Sequence, residues 1–409
     1  MSFEVRAIRE DEREECIALW RTVWRGDNSD AYFRRYFYGD VEWLPYYTQV
    51  GVLDGKLVSA VQICKRIVAC GEYRLTMGGI ANVATLPEAR GRGFNTHCLE
   101  SAIRVMEADA MDFALLFTGI NDYYARQGFS TLPRPWLSGS IREGFAPHHS
   151  NFRVRAVQDE DLESIYRVYD SYNRLRPITV QRTPAYWRDW IGIRPGNLPP
   201  ELLVAVDRAG NLCGYAKSGT FRSAVPYSAD AAGIRINELA IDRDERIDAE
   251  AEITSALLDA VAERSLAEGS KVLRLDLYNE PAIREALARI IIDPQEHINQ
   301  SGMVRLLHGE NLLRGFTMVW NDRWIEAGRP HGHLRFATPY GSVVFDCSGT
   351  FVRVSAAETA AEAWPQETLF GLMFGIVSAE QLTDDAELLA LLNALFPRQA
   401  ATYYGSDGF

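Results

Sequence analysis

The chain has 409 residues, which at roughly 100–200 residues per domain implies two to four domains. Its 47% hydrophobic, 24% charged and 11% aromatic content is that of a globular protein and excludes a disordered, collagen-like or coiled-coil chain. Lys and Arg total 43 against 55 Asp and Glu, a formal charge of -12; the overall field repels phosphate backbones and anionic lipid, which argues against nucleic-acid and membrane partners and suits a cationic substrate.

The opening Met1-Ser2-Phe3-Glu4-Val5-Arg6 has no basic segment leading into an apolar one, so no signal peptide is read. The longest nearly apolar run, Leu369 to Ala379, is interrupted by Gly371 and Gly375 and is too short to cross a bilayer. A cytoplasmic protein is expected. Six cysteines lie scattered without Cys-x-x-Cys spacing, the pattern of reduced core thiols rather than of disulfides or a zinc site. Cys98 could serve as a nucleophile, but its place on an apolar helix face favours a packing role.

Phe3 to Asp11 alternates and runs into a helical pattern, and Phe152 to Glu160 echoes it 149 residues later. That spacing suggests duplication of a whole domain rather than a repeat array. Val50 to Ala60 reads as strand, Asp54-Gly55 turn and strand, and Leu203 to Gly214 repeats the arrangement with a longer turn. Between the first echo and the first hairpin stand Trp20, Trp24, Tyr32, Phe33, Tyr36, Phe37, Tyr38, Trp43, Tyr46 and Tyr47. Many must be core, while aromatic walls with acids such as Asp27 and Asp40 would also suit an amine-bearing ligand.

Ile80 to Thr85 reads as a strand, Arg90-Gly91-Arg92-Gly93 as a glycine loop, and Phe94, Cys98, Leu99, Ala102, Ile103 and Met106 as the apolar face of a helix. Unpaired amides at a helix start, approached over glycines, can hold a pyrophosphate. A Walker loop is excluded for want of Gly-Lys-Ser/Thr, and a dinucleotide loop because Thr96 stands where its third glycine belongs. Alone, the loop is equally a surface turn with solvated arginines. Phe113 to Phe117 then reads as a buried strand, followed by Thr118-Gly119-Ile120-Asn121-Asp122 and Tyr123-Tyr124-Ala125-Arg126-Gln127-Gly128-Phe129.

The proline pairs in Leu132-Pro133-Arg134-Pro135 and the stretch Pro147-His148-His149-Ser150 read as linkers, and Gly309-Glu310-Asn311 with Gly315 as the approach to a third region. In the second half, Ile236 to Ile241 leads into Asp242-Arg243-Asp244-Glu245-Arg246-Ile247-Asp248, with no glycine and four carboxylates where the first half has its loop; phosphate binding there is expected to fail. The third region offers short strands at 332–338, 342–346 and 350–354, helices at about 365–375 and 384–395, and a tail from Tyr403 to Phe409. His331-Gly332-His333 is read as a polar turn, and no metal site is expected.

The loop and the tyrosine segment together resemble the GNAT acyltransferase superfamily. Its Arg/Gln-x-x-Gly-x-Gly/Ala motif maps onto Arg90-x-x-Gly93-x-Asn95, with Asn95 in place of the small residue, and its Tyr-x-x-x-Gly-Phe signature onto Tyr124 to Phe129. With the closing Leu369 to Gly375, Leu395-Phe396-Pro397 and Phe409, the chain is similar to the enhanced intracellular survival acetyltransferases. The resemblance implies an α/β (α+β) protein of two tandem GNAT-like mixed-sheet domains, at 1–145 and 151–305, and a C-terminal sterol-carrier-like α+β domain at 312–409. It implies acetyl-CoA, or another acyl-CoA, as co-substrate, held by Val83, Ala84 and Thr85, by Arg90, Gly91, Arg92, Gly93, Phe94, Asn95 and Thr96, and by Gly119 and Ile120. Tyr124 would be the general acid and the carboxylate of Phe409 the base. The activity implied is acyl transfer to a primary amine of a small polar or cationic molecule, aminoglycoside-like or a secondary metabolite, at one site per chain. Relatives of this type assemble as hexamers, which implies a homo-oligomer. A lipid- or partner-binding protein on a GNAT scaffold is the competing expectation.

Overall fold

The computed structural model describes residues 2–24, 30–221, 233–276, 280–307, 309–358, 362–400 and 403–409. Asp27, named in the sequence as a candidate acid, lies outside the described residues. The chain divides into two units, one of residues 1–133, 300–399 and 409, the other of 134–299 and 400–408.

The first unit is built on β1 (Phe3–Ala7), β2 (Thr48–Leu53), β3 (Lys56–Cys70), β4 (Tyr73–Thr85), β5 (Phe113–Phe117) and β6 (Ser130–Thr131), with α1 (Arg13–Val23), α2 (Asp30–Tyr38), α3 (Phe94–Ala108) and α4 (Asn121–Ala125) between them. Its sheet runs β1-β2-β3-β4-β5, then the strand Gly302–Leu306, then β6. The β2–β3 hairpin turns on Asp54 and Gly55, both at positive φ, as the two-residue turn of a right-twisted hairpin requires. Helix α3 bridges β4 to the parallel strand β5 and buries Phe94, Cys98, Leu99, Ala102, Ile103 and Met106, the face its periodicity predicts. Each large apolar side chain so buried contributes about 1.5–3 kcal/mol. Cys98 is fully buried, and burial pushes its thiol up to about 12, which leaves no thiolate for nucleophilic chemistry.

The second unit carries β7 (Arg134–Ile141), β8 (Arg153–Ala156), β9 (Leu202–Val206), β10 (Leu212–Phe221), β11 (Gly233–Ile241), β12 (Val272–Leu275) and β13 (Ile291–Asn299), with α5 (Leu162–Asn173), α6 (Arg243–Arg246), α7 (Glu250–Ala267) and α8 (Pro281–Ile290). Its order is β8-β9-β10-β11-β12-β7-β13. The echoed segments therefore occupy equivalent places, because β1-β2-β3-β4-β5 and β8-β9-β10-β11-β12 share strand order and each ends on a parallel pair.

The two sheets are completed by crossed segments. The strand after β13, β14 (Gly302–Leu306), pairs with β5 and β6, whereas β7, directly after β6, pairs with β12 and β13. The stretch Leu132 to Pro135, read as a linker, thus opens a strand. Pro135 is tolerated because it stands opposite β13 alone, beyond the residues that pair with β12.

The end region groups with the first unit. It consists of α9 (Gly309–Glu326), β15 (His333–Thr338), β16 (Gly341–Asp346), β17 (Arg353–Ala357), β18 (Trp364–Pro365), α10 (Gln366–Met373) and α11 (Ala386–Leu395). The sheet order is β17-β16-β15-β18. The third strand starts three residues later than read, because 347–352 is spent on the turn out of β16. Helix α9 was not expected: Gly309 and Gly315 suggested a break, but Phe316, Trp320 and Trp324 recur every four residues and are all buried, a helical stripe that outweighs them. Trp320, Phe336, Phe345 and Phe396 pack ring to ring and fill the space over this sheet. Among the described residues no helix is long and apolar enough to cross a membrane.

Candidate active site

Strands β4 and β5 pair only from Met77 to Gly79. Beyond Gly79 they part, and β5 continues against β14 as far as Phe117. A bulge marks the opening: the β3–β4 register shifts between Ala60 and Gln62, and Asn82 takes φ of 48°. Bulges bend and re-aim the strand that carries them. The backbone of Ile80 to Thr85 consequently presents an edge toward β5 on which no strand is laid among the described residues, where an extended ligand can add its own hydrogen bonds. Ala84 is buried, and Val83 and Thr85 are half-buried. The carbonyl of Ala84 already accepts from Ser59 Oγ at 2.9 Å.

After a short turn, Pro87–Ala89, the chain enters the glycine loop. Gly91 and Gly93 adopt φ of 73° and 77°, and no heavy atom lies within 4 Å of where a Cβ would stand on either. Gly93 is the N-cap of α3 with no side-chain cap, and the first turn holds no acidic residue. Its orphan amides and dipole thus face open space, the condition for binding an anion. Arg90 and Arg92 are exposed beside the loop; Arg90 Nε donates to Thr85 O at 3.3 Å, and the Arg92 guanidinium lies 4.6 Å from the Phe94 ring centroid.

Phe94 and Asn95 offer the ligand only their backbone. The Phe94 ring is buried and stacked on Phe3 at 4.2 Å. Asn95 turns inward, its Nδ2 donating to Ser59 Oγ and Ala84 O at 3.3 Å and its Oδ1 accepting from the Tyr123 hydroxyl at 2.7 Å. This residue, which departs from the small one of the motif, ties the start of α3 to β4 and to the tyrosine helix. Thr96 is half-buried on the same turn.

On the other side of the opening, Gly119 is open and Ile120 is exposed at the N-cap of α4. Gly128, at φ of 77°, ends the helical turn so that Phe129 N can donate back to Tyr124 O at 3.2 Å. Tyr124 is 6% exposed, between the rings of Tyr123 and Phe129 at 4.9 and 6.2 Å. Burial raises its phenol well above the ordinary value, with the neighbouring Tyr123 adding to the shift. Its hydroxyl has no protein hydrogen-bond partner among the described residues.

The chain end reaches the same opening. The ring of Phe409 lies 5.8 Å from that of Phe117, and it covers Gly79 so closely that a Cβ there would stand 2.5 Å from the ring carbons. The glycine inside β4 was a readable signal of close approach, although nothing local says what approaches. Gly79→Ala is therefore expected to displace the terminal ring and cut turnover at least tenfold, with ligand affinity at the glycine loop unchanged; an undiminished rate, measured with the two proteins side by side, would detach Phe409 from the chemistry. Gln366 fixes the far edge, accepting from Leu306 N at 3.0 Å and donating to Gly128 O at 2.8 Å and Ser130 Oγ at 3.1 Å.

The aromatic segment is mostly core: Trp20, Phe33, Tyr36 and Phe37 are buried, while Trp24, Tyr38 and Tyr46 are exposed. Asp40, read as an acid for an amine, is instead buried and held by Arg66 Nη1 at 2.9 and 3.0 Å. Its charge is spent on a partner in β3. His333 sits 3.5 Å from Asp346, and among the described residues no group of three His, Cys, Asp or Glu could hold a metal ion. In the second unit the stretch after β11 caps its own helix: Asp242 accepts from Glu245 N at 3.4 Å and pairs with Arg167, and Asp244 pairs with Arg174 at 2.6 Å.

Residues 4–132 match the family model of the acetyltransferase (GNAT) domain. Three solved structures are similar over essentially the whole chain. A protein of unknown function from Enterococcus faecalis V583, described as a probable N-acyltransferase, is 16% identical over 99% of this chain and 100% of its own, with a TM-score of 0.67. A GCN5-related N-acetyltransferase from Anabaena variabilis and Eis1 from Mycobacterium abscessus are each 14% identical over 100% of both chains, with TM-scores of 0.65. No curated protein matches. At such identities the likeness is one of fold, a mixed α/β architecture shared with N-acetyltransferases. The family match is thus confined to the first third of the chain, and the likeness over the rest is one of fold.

Proposed function

We propose that this acyltransferase domain transfers the acetyl group of acetyl-CoA to a primary amine of a small polar or cationic molecule, at one site per chain. The observation that carries the reading is the β4 edge, bare among the described residues, lying between an uncapped, glycine-lined helix start and a buried tyrosine whose hydroxyl has no protein partner among those residues. The residues fit the co-substrate: amides of Gly91 to Thr96 for the pyrophosphate, Arg90 and Arg92 for its charge, the edge at Val83 to Thr85 for the pantetheine amides, and Gly119 and Ile120 along the opposite wall.

When bound, the co-substrate supplies a thioester whose carbonyl carbon an amine can attack directly. Backbone N–H groups of the bulged edge are preorganised donors for the charge that develops on the carbonyl oxygen. Tyr124 Oη then donates its proton to the departing sulfur. Its raised pKa keeps the phenol protonated at neutral pH, so the donor is in the right state at the start of every turnover. The Phe409 carboxylate takes the proton that the attacking ammonium must lose. A terminal carboxylate has an ordinary pKa of about 3.5, so it acts by holding and relaying that proton rather than by outcompeting water for it.

The second unit has no glycine at the equivalent loop and fills that turn with its own carboxylates, which supports a single site. The end region is, in this reading, a sterol-carrier-like domain that delivers the terminal carboxylate. Its aromatic filling argues for a structural use rather than lipid carriage. Calorimetric titration of acetyl-CoA into untagged protein tests the reading without knowledge of the amine, and one molecule per chain is expected. Deleting Phe409, or adding a C-terminal tag, should leave that binding within about twofold and suppress thiol release with a panel of primary amines. No binding at millimolar acetyl-CoA would exclude the function, and full activity in the deleted protein would remove the carboxylate from it.

A further inference from the structure

Asn82 is the only residue of β4 at positive φ. A left-handed backbone inside a strand has a cost, and asparagine is among the few residues that meet it cheaply. Strained positions of this kind gather at functional sites. Asn82 stands at the bulge of β4, between Gly79, the last residue paired with β5, and the edge at Val83 to Thr85. Its side chain is oriented by a relay of bonds within the first unit. Asn82 Nδ2 donates to Gln62 Oε1 at 3.4 Å, and Gln62, fully buried in β3, donates through Nε2 to Tyr36 O of α2 at 3.0 Å. The amide therefore lies on the α2 side of the sheet, whereas Gly78 faces Met106 of α3 on the other side. Its nitrogen is committed to that relay. Its oxygen, an acceptor with two lone pairs, has no partner among the described residues. Asn82 is half-buried, and the oxygen is the end of its amide left for a ligand at the opening.

With the pyrophosphate at the glycine loop and the pantetheine along Thr85 to Val83, the thioester follows at Asn82. We propose that Asn82 Oδ1 receives an N–H of the attacking amine, and that this contact makes the site select primary amines over secondary ones. The balance of bonds decides the selection. A C–N bond forms, the C–S bond breaks, the sulfur takes the Tyr124 proton, and the nitrogen gives one proton to the base. A primary amine has two hydrogens, loses one, and keeps the other donated to Asn82 Oδ1 from approach through to the product amide. That bond also holds the nitrogen lone pair toward the thioester carbon. A secondary amine has a single hydrogen, which the base must take, so Asn82 loses its partner as the C–N bond forms. A site built around a substrate N–H rejects the analogue that lacks it, because its own polar group is left unpaired. An alcohol fails for the same reason, since its only hydrogen is the one removed. The inference rests on the reading of this opening as the acetyl-transfer site.

Thiol release from acetyl-CoA with methylamine and with dimethylamine, both small enough to enter without a fitted pocket, tests it in the full chain. The native protein is expected to favour methylamine by about tenfold or more beyond the ratio that the two amines give with acetyl-CoA in solution. Asn82→Gly keeps the left-handed backbone and removes the amide. It should lose that preference and lower the methylamine rate by about tenfold or more, with acetyl-CoA affinity within about threefold. Asn82→Asp keeps an oxygen in the same place and tolerates the same backbone, so the preference should survive. A residue that only shapes the bulge would lower both amines alike and leave their ratio unchanged. A native ratio no different from that in solution, or a preference that survives Asn82→Gly, overturns the inference while acyl transfer stands. A native protein that binds no acetyl-CoA refutes acyl transfer and the inference together.

Discussion

Tyr124→Phe is expected to lower turnover by about 10²–10⁴-fold, the usual worth of a positioned proton donor, while acetyl-CoA affinity stays within about twofold. The two readouts separate because the ring and the hydroxyl do different work. The ring packs between Tyr123 and Phe129 in the apolar core of the first unit, and phenylalanine keeps that packing. The hydroxyl, with no protein partner among the described residues, is lost without leaving any other group unsatisfied, so the fold has no reason to suffer. The pH dependence carries the same signature. An ordinary tyrosine titrates near pH ~10 and burial moves Tyr124 higher, so the native rate should show no alkaline fall from this group up to that pH. Equal losses in turnover and affinity would make Tyr124 a packing residue.

The second large effect belongs to Gly91→Asp, which should weaken acetyl-CoA by more than 100-fold, about 2.7 kcal/mol. Gly91 has φ of 73° and open space where a side chain would go. Aspartate is among the few residues that enter the left-handed region at modest cost, so the loop can fold around it. What changes is the charge set before the orphan amides of α3, where an anion of the protein's own would occupy or repel the pyrophosphate site. Gly91→Asn, of the same shape and without charge, should lose no more than about tenfold. If the two variants bind equally well, the pyrophosphate lies elsewhere; if they bind equally badly, bulk and not charge is responsible.

What was legible in the sequence was local. The Asp54-Gly55 turn, the glycine loop and the apolar face from Phe94 to Met106 each follow from residues within a few positions of one another, and all three stand as read. Whether Asp40 faces a ligand was not legible, because its partner, Arg66, lies 26 positions away on another element, and no spacing rule links a helix end to the middle of β3. Asn95 was noticed as a departure from the motif, yet its three bonds reach β3, β4 and α4, so its use as a strut could be known only once those elements were assembled. Gly79 could have been flagged as a strand glycine, but its partner is the last residue of the chain, 330 positions on. Helix α9 was missed for a different reason: Gly309 and Gly315 were read as a linker, and the stripe of Phe316, Trp320 and Trp324, all buried, was not read.

The crossed completion of the two sheets has a consequence for how the molecule comes into being. As the chain leaves the ribosome, β1 to β5 can assemble early, but β5 waits for its second neighbour until residues 302–306 have been made. Until then β5 is an edge strand, and the nascent intermediate carries the hazard of mispairing that such edges bring. A fragment cut at residue 145 thus leaves β5 without the neighbour that β14 provides.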